Sequence, residues 1–109
     1  LGLTDGIKYF YPKGLFVENK PLELFFFYND KVFVVRFFKD DKTYQIKTIR
    51  YNQIPEIIFN ANNSSFRELR LKGDVLEERP IILQSLNDTN DAWKNEFARK
   101  IENIYSLLS

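Results

Sequence analysis

Histidine, cysteine and methionine are all absent from this chain of 109 residues. Without imidazole or thiol there is no His base, no thiolate nucleophile, no disulfide and no ordinary zinc site. Ser64 and Ser65 have no His to activate them, which removes a serine hydrolase, so neither an enzyme nor a cofactor is expected. The adjacent carboxylates Asp40–Asp41 and Glu77–Glu78 would point to opposite faces of a strand or stand solvated in a loop, and no metal site is expected. Glycine and proline number only four each and gather into no linker, and no segment repeats. The expectation is therefore one domain over residues 1–109, excised from a longer chain because it begins with Leu1 rather than Met. No apolar run approaches the ~20 residues of a membrane-spanning helix.

What the chain does have is a core. It is 44% hydrophobic and 28% charged, with 11 Phe, 6 Tyr and 1 Trp, the composition of a packed domain rather than a disordered tail. The net charge of +1 conceals an asymmetry. Residues 1–50 carry nine basic and six acidic groups, whereas residues 51–109 carry seven and nine. The first half is mildly basic, far short of the dense positive field of a nucleic-acid binder, so no nucleic-acid partner is expected.

Strands come first and a helix last. Ile7–Tyr11 reads as a strand that stops at Pro12, which cannot donate to a ladder. Leu22–Tyr28 and Lys31–Lys39 are dense apolar runs flanking Asn29–Asp30, a hairpin turn by residue type and spacing. Both faces of these runs are apolar although only one can face a single core, so either the helix or a partner should cover the other. Thr43–Tyr51 reads as a strand with one buried face bearing Tyr44, Ile46 and Ile49, bulged near Lys47. Glu56–Asn60, Phe66–Lys72 and Pro80–Leu86 complete seven. Trp93, Phe97, Ile101, Ile104, Tyr105 and Leu108 then recur at spacings of three and four, an amphipathic helix that packs its stripe on the sheets. Asn87, Asp88, Thr89 or Asn90 would cap it, and Glu96 and Lys100 stand four apart in the favourable order.

About seven antiparallel strands followed by one capping helix resembles the pleckstrin homology (PH) fold. The segment carrying the resemblance is IILQSLNDTNDAWKNEFARKI, Ile81–Ile101, where Trp93 would be the hallmark residue of the helix, with Phe97 and Ile101 four and eight positions later. LTDGIKYFY, the Asn29–Asp30 hairpin and YQIKTIRYNQI also look like their PH counterparts. The resemblance implies an α+β, mainly β fold: a bent seven-stranded antiparallel barrel or sandwich capped by a C-terminal amphipathic helix. It also implies a non-enzymatic module recruited to the cytosolic face of a membrane by anionic headgroups, phosphatidic acid or a phosphoinositide. Lys8, Lys13, Lys20, Lys39 and Lys42 would be the headgroup contacts, because phosphate oxygens need converging charged N–H donors. Leu15 and Phe16, between Lys13 and Lys20, would form a membrane wedge or, alternatively, extend the first sheet into the core. The usual basic pattern across the first hairpin is incomplete, with Glu18 and Glu23 intruding, which implies modest specificity and keeps open a PH-fold protein-interaction or scaffold module that binds no lipid. Abundant Asn, Lys, Ile and Phe add a resemblance to the apicomplexan acylated PH proteins, which sense phosphatidic acid.

Overall fold

The computed structural model describes residues 6–14, 21–38, 42–76 and 80–109. Among them the chain forms β1 (Tyr9–Lys13), β2 (Glu23–Phe27), β3 (Lys31–Phe38), β4 (Thr43–Arg50), β5 (Glu56–Ala61), β6 (Arg67–Lys72), β7 (Ile81–Gln84) and α1 (Lys94–Leu108). The strands make two antiparallel sheets, β1-β2-β3-β4 and β5-β6-β7. The fold is thus α+β and mainly β, a sandwich-like pair of sheets with one C-terminal helix, and among the described residues no closed barrel forms, since β4 and β5 are joined by a turn rather than a ladder.

The Asn29–Asp30 turn sets the register of the first sheet. It places Glu23 opposite Arg36 and Phe27 opposite Val32, and β3 in turn pairs Arg36 with Gln45 and Val32 with Ile49. Side chains alternate across a strand, so three cross-strand rows face inward: Tyr9–Phe27–Val32–Ile49, then Tyr11–Phe25–Val34–Lys47, then Lys13–Glu23–Arg36–Gln45. The inner face grades from apolar to charged toward the β1–β2 end. Leu69, Leu71, Ile81 and Leu83 of the second sheet and Phe97, Ile101 and Ile104 of α1 complete the core. Full burial of each such side chain contributes roughly 1.5–3 kcal/mol. Tyr105 stacks on Phe59 at 4.6 Å, fixing the end of α1 to the second sheet.

Several expectations change. The first strand continues through Pro12 to Lys13; β1 is a sheet edge, where a missing N–H need not break a ladder. No bulge interrupts β4, whose register runs unbroken from Phe38–Thr43 to Lys31–Arg50. Nor does β4 bury Tyr44 and Ile46; of its eight residues only Ile49 is buried. The helix begins at Lys94 with Trp93 as its N-cap, without a side-chain cap bond. Trp93 is therefore no core residue: it is 46% exposed, while Phe97 and Ile101 are buried as expected. The N-cap residue has non-helical backbone angles, here φ −110° and ψ 0°, which take its side chain off the helical stripe. Glu96 pairs with Arg99 at 3.2 Å rather than with Lys100, whose ammonium donates to the Phe10 carbonyl at 3.1 Å.

Two glycines mark close approaches. A Cβ on Gly14, whose φ is +90°, would lie 2.5 Å from the Pro21 carbonyl oxygen. On Gly73 it would lie 2.5 Å from the Gln53 carbonyl oxygen and 2.9 Å from Pro55 Cδ, against the connection that leads from the first sheet to the second.

Candidate functional site: a charged mouth between the sheets

Where the first sheet turns from apolar to charged, a cavity of about 370 Å³ opens between β1–β4 and β7. Phe25, Val34, Ile49, Leu76 and Ile81 give it an apolar floor, and Lys13, Glu23, Arg36, Gln45, Lys47 and Asp88 a charged and polar rim. This size and this combination of apolar wall with a few converging polar groups are those of a small-ligand site.

Asp88 organises the rim. It is buried, and its carboxylate accepts from the Tyr11 hydroxyl at 2.7 Å and from the Gln84 N–H at 2.6 Å. The Lys13 ammonium stands 3.7 Å away and also donates to the Ile82 carbonyl, tying β1 to β7. The Gly14 N–H donates to the Asp88 carbonyl at 3.0 Å. Asp88 therefore clamps the first strand to the last instead of capping α1. Burial, reinforced by the Asp88 charge, raises the Tyr11 hydroxyl pKa well above the usual tyrosine range. The second carboxylate, Glu23, is also buried and accepts from Arg36 Nε at 3.3 Å. Lys13 and Arg36 thus each have an acidic neighbour within ion-pair distance.

The lysines singled out from sequence are dispersed. Lys13 lies on the rim with its side chain 27% exposed. Lys42 is exposed beside the β3–β4 turn, at the cavity end of the sheet, with a left-handed φ of 57°. Lys8 is exposed before β1, at the opposite end from Lys13. Five residues of extended chain separate the two by roughly 17 Å. Lys20, Lys39 and the wedge residues Leu15 and Phe16 lie outside the described residues. Arg36, Lys47 and Asp88 were missed as rim groups. The first two follow from hairpin register, since centring the turn on Asn29–Asp30 already sets Arg36 opposite Glu23; the Tyr11–Asp88 contact, 77 positions apart, carries no local signal.

A second surface bears on function. The outer face of the first sheet presents Phe10, Phe37, Tyr44 and Ile46, each between 37% and 59% exposed, and α1 does not cover them. Among the described residues no cluster of three metal-ligating side chains occurs, and no helix is long and apolar enough to cross a membrane.

No curated protein and no solved structure matches the chain. One family match spans residues 2–99, nearly the whole sequence. The chain belongs to the family described as protein of unknown function (DUF3908).

Proposed function

We propose that this domain is a non-enzymatic membrane-recruitment module of PH type that binds anionic phospholipid headgroups, phosphatidic acid or a phosphoinositide, with modest specificity at the cytosolic face of a membrane. The observation that carries the reading is the amphiphilic mouth, with cationic Lys13, Arg36 and Lys47 set above an apolar floor. A phosphate monoester or diester matches the rim through charge-assisted hydrogen bonds, and the glycerol and first methylenes match the floor. Strand order and a C-terminal helix agree with the PH resemblance, and Lys42 adds a cation at the same end. Modest strength follows from the rim itself: Glu23 and Asp88 offset much of the field of Arg36 and Lys13. Each basic side chain near an anionic bilayer is worth about 1 kcal/mol, so attachment is reversible. The absence of His and Cys supports a binding role rather than catalysis.

The test is co-sedimentation with vesicles of phosphatidylcholine alone or doped with phosphatidic acid or a phosphoinositide. Binding only to the doped vesicles, reduced at least fivefold by Lys42→Glu with Lys47→Glu, is the expected result; indifference to headgroup charge or to these substitutions overturns it. The exposed aromatic outer face favours a second reading, a PH-fold interaction or scaffold module that binds protein and no lipid.

A further inference from the structure

Among the described residues, strand β4 is paired on one side only. It is the edge of its sheet, and seven of its eight residues are exposed. Antiparallel pairing alternates the direction of backbone groups along a strand, and two bonds establish the phase here. The Tyr51 N–H turns inward to the Asp30 carbonyl at 3.0 Å, whereas the Arg50 N–H turns outward to Gln53 Oε1 at 3.0 Å. Stepping back by twos from Arg50, the N–H and C=O of Thr48, Ile46 and Tyr44 point away from β3. These are three consecutive docking positions for another strand, spanning roughly 14 Å at about 3.4 Å per residue.

The two sides of that edge differ in chemistry. Toward the outer face stand Tyr44, 59% exposed, Ile46, 37%, and Phe37, 40%, with the Phe37 and Tyr44 rings 6.2 Å apart. Toward the mouth between the sheets stand Gln45 and Lys47. Thr43–Arg50 contains Lys47 and Arg50 and no carboxylate, and the exposed Lys42 immediately precedes it. A strand added here sets alternate side chains beside the aromatic patch and the intervening ones beside Lys47. Apolar residues suit the first set and acidic residues the second. Self-pairing is opposed by the same charges: an antiparallel dyad centred on Ile46 puts Lys42 opposite Arg50, and one centred on Lys47 puts two Lys47 opposite each other, both unfavourable.

We propose that β4 takes up an extended segment of a partner polypeptide, alternating apolar and acidic, as a fifth strand of the first sheet. The headgroup site and this edge share Lys47, but the added strand is held by the outward backbone of Tyr44, Ile46 and Thr48, which takes no part in headgroup binding, so either can fail without the other.

The probe is a nine-residue peptide alternating valine and glutamate, with its lysine-for-glutamate twin as control. Fluorescence anisotropy should show the acidic peptide binding at least tenfold more tightly than the twin. At saturation, amide exchange of Tyr44, Ile46 and Thr48 should slow at least tenfold. Ile46→Pro removes the central outward donor without removing a β3–β4 bond and should abolish binding; should that variant fail to fold, the three amides of the unaltered protein decide the matter. Equal binding of the twin, or no protection of these amides, overturns the proposal. So does a concentration-dependent dimer in sedimentation that protects them without peptide, which assigns the edge to a second copy.

Discussion

Asp88 and Glu68 show how single buried carboxylates in this fold depend on named donors. Tyr11→Phe deletes the 2.7 Å donor to Asp88 while leaving the ring packed, 5.0 Å from Phe97. The variant should lose about 1–3 kcal/mol in urea denaturation at pH 7, because a buried carboxylate is left with one donor fewer. Glu68 accepts from Arg70 Nε at 2.8 Å, Gln84 Nε2 and Asn60 Nδ2, and the Arg70 bond above all lowers its pKa to about 2 from an ordinary 4.5. A carboxyl depressed by folding contributes its stability in full above pH 4.5 and loses it as pH falls toward about 2. Glu68→Gln should therefore be less stable at neutral pH and show a shallower loss of thermal midpoint between pH 4.5 and 2. At this scale local pairs were legible and distant ones were not. Hairpin spacing yields Glu23–Arg36, whereas Asp88, which looks like a helix cap in sequence, is drawn to Tyr11 by packing of the first strand against the last.

Among the elements, α1 was the most legible, because a period of three and four over fifteen residues admits only one burial pattern. Its start was not, since several cap-capable residues precede it and the chain uses none of their side chains to cap. The consequence is measurable at two aromatic positions four apart. Phe97→Ala should cost about 3–5 kcal/mol as a core truncation, and Trp93→Ala about 1 kcal/mol or less as a half-exposed site, both read from chemical unfolding. Strand β4 illustrates the opposite difficulty. Its spacing of Tyr44, Ile46 and Ile49 promises a buried face, but periodicity reports only which residues share a side and is silent on whether anything lies over that side. The two-faced apolar runs of β2 and β3 posed the same question, and the exposure of Phe10 and Phe37 answers it for the helix, which packs elsewhere.

Over the whole molecule, the class was legible and the closure was not: seven strands and a helix follow from the sequence, but whether they form a barrel or two sheets depends on the pairing of β4 with β5, which no local pattern encodes. The charge asymmetry of the halves also needed the fold to become a site, since Arg36 and Lys47 reach the mouth only through alternation on paired strands. If the mouth receives anionic headgroups, its own carboxylates set the affinity. Glu23→Gln should then strengthen sedimentation with phosphatidic acid vesicles, on the order of threefold to fivefold for up to about 1 kcal/mol of relieved opposition, and steepen its salt dependence. Gly73 bears on the same mouth from a distance. A methyl group there would press on the Gln53 carbonyl and the Pro55 ring, so it has to displace the chain that crosses between the sheets. Because the Gly73 carbonyl accepts from the Leu76 N–H at 2.9 Å, that displacement is handed on to a residue of the mouth's floor.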